Sequence, residues 1–218
     1  MSNTLPSNIT EAYFKIITSA TYQVQTGSDD CGGYRYYYEE STGDICYEWE
    51  YNLAYVGAFN HIYSTGQYHC DIRFSGYLNL AKKSFMRIPV MDVHQGTTIV
   101  GADLELYVSN GSYGGTANFR IYGHDADTGG KPTNYSQLDA LTLTTNYATW
   151  NSSTMWTSGN WYTVPGLKDV IQEVVNRPGY MIGNPITLVC VGIPNSNDRG
   201  WNGSGYTNAP KLNLSWQA

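Results

Sequence analysis

The chain has 218 residues and a formal net charge of -6, and it contains no basic cluster of the kind that binds nucleic acid. No stretch of about 18 consecutive apolar residues is present, so the sequence predicts no membrane-spanning helix. Charged residues make up 14% of the chain, against roughly 25% in an average soluble domain. The 20 Tyr and 23 Gly residues favour many strands and turns and few helices.

The first part of the chain combines a polar arm with a tyrosine-rich segment. Residues 1–11 show no periodicity, and we interpret them as an N-terminal arm. They lack the basic and apolar regions of a signal peptide, so we expect a leader to be absent or already removed, and Met1 favours absence. Short strands are predicted at 12–17 and 20–24. Residues 27–51 carry a run of tyrosines between Gly-containing turns, which predicts a hairpin inserted into the domain.

Alternation of apolar and polar residues predicts the strands in the middle of the chain. In the segment 100–109, one face carries Val100, Ala102, Leu104, Leu106 and Val108. The segment 117–122 repeats the pattern after a short Gly-rich loop, so the two strands expose an apolar face that a further layer must cover. Other strands are predicted at 53–59, 61–63, 72–80 and 85–90.

The last part of the chain contains one helical pattern and two strand patterns. A helix is predicted over 167–176, where an apolar stripe is formed by Leu167, Val170, Ile171, Val174 and Val175. The segment 186–193 is apolar on both faces, which predicts a central strand, and 211–217 alternates. We therefore predict an all-β fold over 12–218, a jelly-roll-like antiparallel β-sandwich with one short amphipathic helix. The predicted core contains Leu104, Leu106, Phe119, Ile121, Leu188, Leu212 and Leu214.

The order of several short motifs resembles the DNRLRE-type jelly-roll domain, which occurs in secreted bacterial surface proteins and in phage particle proteins. The matching pieces follow in order over about 72–218: KSFMRIPV, TTIVGADLELYV, FRIYG, the Trp150 segment, VPGLKDVIQEVVNRPGY with GNPITLV, and NAPKLNLSW. Residues 1–71 match less well. The resemblance implies a stable module for adhesion or display, sometimes with glycan binding, and it implies no catalytic residues.

No sequence motif predicts catalysis, a metal or another cofactor. The histidines lie outside nucleophile and metal motifs, and the absence of C-x-x-C spacing argues against zinc. The segment 125–129 resembles the start of a calcium loop but lacks the third acidic ligand and the closing Glu, so an Asp-rich turn is preferred. Cys31 and Cys46 flank the tyrosine run and are candidates to meet across the hairpin. Cys70 and Cys190 are interpreted as buried thiols.

Aromatic clusters are the candidate binding residues. They are Tyr34, Tyr36 and Tyr37 in the hairpin, with Trp201 and Tyr206 in a Gly-rich loop. Such rings stack on sugars or anchor a protein partner. The alternative is that the tyrosines pair across strands and stabilise the sheet.

These observations and the resemblance predict a non-enzymatic virion structural protein of a bacteriophage, a capsid decoration or tail-associated subunit assembled in the host cytoplasm. Its expected partners are other virion proteins and further copies of itself, with a cell-surface glycan as an additional contact. Neither nucleic acid nor a membrane is an expected partner. The alternative is a carbohydrate-binding or adhesion module of a secreted bacterial protein.

Overall fold

The computed structural model describes residues 17–23, 30–39, 46–50, 69–72, 81–88, 91–108, 112–113, 115–132, 135–193, 199–202 and 208–217. The strands in these residues are β1 (Ile17–Gln23), β2 (Asp30–Glu39), β3 (Cys46–Glu50), β4 (His69–Ile72), β5 (Ala81–Ile88), β6 (Ile99–Val108), β7 (Ser112–Tyr113), β8 (Ala117–His124), β9 (Leu143–Ser152), β10 (Trp156–Thr157), β11 (Asn160–Val164), β12 (Ile186–Gly192), β13 (Arg199–Asn202) and β14 (Lys211–Gln217). The helices are α1 (Tyr135–Asp139) and α2 (Lys168–Val175).

Two antiparallel sheets carry the core, and their strand order defines the fold. One sheet has the order β1-β14-β6-β11, and the other has the order β3-β2-β5-β12-β8-β9. Without the β2–β3 hairpin, four strands remain in each sheet. Numbered by their order along the chain, they run first-eighth-third-sixth in one sheet and second-seventh-fourth-fifth in the other. This is the order of a jelly roll, so the predicted fold class is confirmed.

The sandwich core contains the residues that alternation predicted. Each of the seven predicted core residues is at most 3% exposed. Strands β6 and β8, which follow one another closely in the sequence, lie in opposite sheets. They therefore do not form the two-stranded layer expected from their short connection. Instead, their apolar faces belong to one shared core cluster, because each sheet covers the other.

The alternation predicted for the segment 100–109 is wrong at Val100, the first residue of that segment. Val100 is 38% exposed, whereas Ile99 is buried. Ser215 of β14 pairs with Gly101, but the next residue, Trp216, pairs with Ile99. One step along β14 thus corresponds to two steps along β6, so β6 contains one extra residue, Val100, which is a β-bulge. The bulge inverts the facing of Val100 and brings Ile99 into the core.

The tyrosine-rich hairpin is continuous with the larger sheet. Strands β2 and β3 pair antiparallel as predicted, and β2 also pairs with β5 from Asp30 to Arg35. The register corrects the expected meeting of Cys31 and Cys46. Cys46 lies opposite Glu39, whereas Cys31 lies opposite Phe85. Glu39 and Cys31 are eight positions apart in β2, or about 27 Å at about 3.4 Å per residue.

Helix α2 closes one end of the sandwich, as its apolar stripe predicted. Its side chains Val170, Ile171, Val174 and Val175 are buried. The Gln172 side chain accepts a hydrogen bond from the backbone N–H of Ile99 at 2.8 Å, which ties the helix to β6. On the facing sheet, Gly123 leaves the space that the helix fills, since a Cβ there would lie 2.9 Å from a Val174 methyl.

Several predicted segments have a different outcome. Strand β1 covers residues 20–23 of the strand predicted at 20–24, whereas residues 12–16, 53–59 and 61–63 of the other predicted strands lie outside the described part of the chain. Helix α1 was not predicted, and its Leu138 packs with Phe85 and Val189 on the outside of the larger sheet. Cys190 is a buried thiol as predicted, and burial raises its pKa to about 12.

Candidate binding surface

The smaller sheet presents a polar outer face that is formed by alternate residues of four strands. Ser19 and Thr21 of β1, the odd-numbered residues of β6 from Gly101 to Tyr107, and the odd-numbered residues of β14 point away from the core and are exposed or half-buried. The pairing of Trp161 with Tyr107 and of Thr163 with Glu105 extends this face onto β11. We call it the outer face. The jelly-roll order brings together strands from both ends of the chain to build it.

A shallow depression of about 460 Å³ lies on the outer face. Its outward-facing lining residues are Ser19, Thr21, Gly101, Asp103, Asn213 and Ser215. Gly101 lacks a side chain, and a Cβ at this position would lie only 3.1 Å from the Ser215 hydroxyl oxygen. Across the sheet, Gly101 pairs with Ser215 and Ser215 pairs with Ser19, so this row of short or absent side chains leaves the depression open. We call it the Gly101 depression.

The polar groups of the depression are only partly used by the protein. The Thr21 hydroxyl donates a hydrogen bond of 2.8 Å to Asn213 Oδ1, which orients the amide and leaves its N–H groups to donate. Asn213 is the cross-strand neighbour of Asp103. Within the described residues, the Asp103 carboxylate makes no hydrogen bond or ion pair. A donor and an acceptor thus stand side by side, open to solvent.

Aromatic rings lie at the other end of the outer face. The Lys211 ammonium is 4.1 Å from the centre of the Trp161 ring, and the Tyr107 and Trp161 ring centres are 5.2 Å apart. Gly101 and Tyr107 are six positions apart in β6, which places the two ends about 20 Å apart. The lysine and the tyrosine together hold the indole in one orientation.

The structure corrects one predicted binding residue and leaves the others as predictions. Trp201 was expected in an exposed Gly-rich loop, but it lies in β13 and its side chain is 1% exposed. Its burial among core residues removes it from any binding surface. Tyr34, Tyr36 and Tyr37 lie in β2, and their binding role stays a prediction. Tyr206 lies outside the described residues.

A second aromatic cluster lies on the outside of the larger sheet. The Tyr122 and Tyr147 ring centres are 5.1 Å apart, and the Arg120 guanidinium lies 4.7 Å from the Tyr147 ring centre. A hydrogen bond to Tyr122 and the nearby Tyr147 raise the pKa of Arg120. Tyr147 is 43% exposed. The cluster was missed in the sequence because Tyr147 meets Arg120 and Tyr122 only through the pairing of β9 with β8.

The segment that resembles a calcium loop is a turn, as preferred from the sequence. Arg177 donates to the carboxylates of both Asp125 and Asp127, at 2.9 Å in the case of Asp127. The guanidinium thus occupies the position of a cation between the two acids. Nearby, His124 Nδ1 accepts a hydrogen bond of 2.9 Å from the Gly130 N–H. Burial lowers the pKa of His124, which favours this neutral, accepting form.

Across the part of the chain that the structure describes, no grouping of three or more His, Cys, Asp and Glu side chains is arranged to hold a metal ion. None of the helices in the described residues has the length and apolar character to cross a bilayer. No family model matches the chain, and a search of curated proteins gives no match. The candidate binding surfaces are therefore inferred from the geometry of the described residues alone.

Proposed function

We propose that the chain is a non-enzymatic structural subunit of a bacteriophage particle, a capsid decoration or tail-associated protein that acts through protein–protein contacts. The observation that supports this most is the eight-strand jelly-roll order, an architecture shared by viral capsid and lectin domains. This support is an analogy between folds. Two physical features, the outer edge of the hairpin and the tyrosine-rich composition, support contact with other subunits.

The hairpin supplies a surface for a neighbouring subunit. Strand β3 is the outermost strand of the larger sheet, and among the described residues it pairs with β2 only. An outer strand carries backbone donors and acceptors that a strand of another chain can use. The hairpin extends the sheet beyond the eight jelly-roll strands, which places this edge away from the shared core.

The composition of the chain also favours close protein contact. Only 14% of its residues are charged, and 20 are Tyr. Tyr is enriched in interfaces because it buries a large ring while keeping a hydroxyl for hydrogen bonding. Few charges need to lose their water when such a surface is covered. The Tyr34–Tyr38 run lies in β2, next to the outer strand.

Sedimentation velocity of the purified chain tests the role of the hairpin. We expect the chain to self-associate, and the variant Tyr34→Ser/Tyr36→Ser/Tyr37→Ser to remain folded and monomeric. Tyr147→Ser is the matched control, since Tyr147 is an exposed tyrosine on β9 at the opposite edge of the same sheet. It should associate as the unaltered chain does.

The outcome that argues against the proposal is a triple variant that associates normally. If that variant instead loses binding on a glycan array while its association is unchanged, the adhesion module of a secreted bacterial protein becomes the better account. The measurement thus separates the two functions through one set of residues.

A further inference from the structure

We propose that the outer face of the smaller sheet binds a neutral saccharide chain, with the Gly101 depression as one subsite and Trp161 at the far end. This site is distinct from the hairpin edge, because the two lie on different sheets. The inference does not depend on the proposed particle role. It rests on the shape, the polar groups and the charge of the outer face.

The shape of the depression suits a small polar ligand. Its volume of about 460 Å³ falls within the range of about 300–1,000 Å³ that small-molecule pockets occupy. Gly101 and Ser215 leave this space open, and a larger side chain at Gly101 would fill it. The lining side chains lie on strands of a packed sheet, so a ligand would meet a surface that is already formed.

The polar groups match the two roles of a sugar hydroxyl. Each hydroxyl both donates and accepts, so neighbouring hydroxyls are bound by an acceptor beside a donor. Asp103 supplies the acceptor and the Asn213 amide supplies the donor. As a directly opposed cross-strand pair, their Cβ atoms are about 5 Å apart. Thr21 fixes the amide of Asn213 through its 2.8 Å hydrogen bond, so the amide loses little conformational freedom on binding.

The charge of the depression disfavours an anionic ligand. Asp103 is the charged residue in its lining, and the neighbouring pair along the strands is Glu105 opposite Lys211. An anionic sugar would be repelled by the uncompensated Asp103 carboxylate. Lys211, the basic group of this face, lies over the Trp161 ring.

The length of the face suits a chain of sugars. About 20 Å separates Gly101 from Tyr107 along β6, and polar side chains of β6 and β14 line the path between them. Trp161 at the far end is half-buried, and the part of its ring that Lys211 and Tyr107 leave uncovered offers apolar surface to a sugar ring. A single sugar would reach one end, whereas a longer chain would reach both.

A glycan array tests the site, with neutral hexose and N-acetylhexosamine oligomers beside uronate-containing and sialylated ones. We expect binding to neutral oligomers and affinities that rise with oligomer length. The tightest hit is then titrated by calorimetry. Asp103→Ala should weaken binding at least tenfold, and Gly101→Gln should do the same by filling the depression. Trp161→Ala should weaken the long oligomers and leave the shortest binding oligomer unchanged.

Asn151→Ala is the matched control, because Asn151 is an exposed asparagine on the outside of the larger sheet. Its affinity should equal that of the unaltered chain, and all variants should remain folded. The inference is overturned if no neutral oligomer binds, if only anionic ones bind, or if Asp103→Ala and Gly101→Gln both leave affinity unchanged. None of these results bears on self-association through the hairpin. If no saccharide binds, the proposed particle role is still tested separately by sedimentation velocity.

Discussion

A buried arginine offers a sharp test of how the strands are joined, and we predict that Arg199→Met destabilises the protein strongly. Arg199 has no solvent exposure. Its Nη2 donates to the carbonyl oxygens of Gly115, Ser152 and Thr154 at 2.8, 3.1 and 3.1 Å. The guanidinium also lies 5.7 Å from the Trp156 ring centre. One side chain of β13 thus joins the end of β9, through Ser152 and Thr154, to Gly115 ahead of β8.

The number of available hydrogens sets the size of the effect. Nη2 carries two hydrogens, so the three carbonyls share about two hydrogen bonds. A hydrogen bond to a charged group contributes about 1.5–3 kcal/mol, which gives about 3–6 kcal/mol for the pair. Methionine keeps most of the volume of the side chain but supplies no donor. A loss of about 4 kcal/mol lowers the Tm of a chain of this length by about 8–16 °C.

Urea denaturation followed by tryptophan fluorescence measures this loss. Arg199→Lys should cost less than Arg199→Met, because an ammonium still donates to the carbonyls. Arg120→Met is the control, since Arg120 is an exposed arginine that lies over a tyrosine ring, and its stability should be nearly unchanged. If Arg199→Met is no more destabilising than Arg120→Met, Arg199 does not hold these segments together.

Three further predictions concern the core, the helix and pH. Leu106→Ala removes a side chain that is 1% exposed and should cost about 2–5 kcal/mol in urea denaturation; a loss under about 0.5 kcal/mol would place Leu106 outside the core. Val174→Asp buries an unpaired charge under α2 and should give unfolded or aggregated protein, so an unchanged melting temperature argues against the docking of the helix. His124 has a folded-state pKa that burial lowers from 6.5, so its contribution to stability is present above pH 6.5 and is lost as pH falls below it. His124→Asn, which keeps an acceptor but does not titrate, should lose less stability between pH 7 and pH 5; an equal loss would exclude His124 as the cause.

Strand alternation was sufficient to predict the core, because each face of β6, β8 and β14 repeats with a period of two residues. It failed at Val100 because a bulge depends on how the partner strand is registered, and residue 216 is far away in the sequence. Similarly, the adjacency of β1, β14 and β6 follows from topology. The outer face could not be predicted before that order was known.

The aromatic residues show why a local sequence is a poor guide to exposure. Trp201 has Gly-rich neighbours, which suggested a loop, but its pairing with Cys70 in β4 carries it into the core. Arg199 was not singled out, because a charged residue is rarely buried unless specific acceptors receive it. Those acceptors are three carbonyls from two other segments, and nothing in the sequence around Arg199 indicates them.

Particle association tests the central claim most directly. Phage particles from lysed host cells would be purified through a density gradient, and the chain would be quantified in each fraction by mass spectrometry relative to the major capsid protein. If the chain is a structural subunit of the particle, it should band with intact particles at a fixed ratio across fractions and remain bound to them after a high-salt wash. A chain that is absent from the particles and is recovered instead from the cell surface or the culture medium would contradict it.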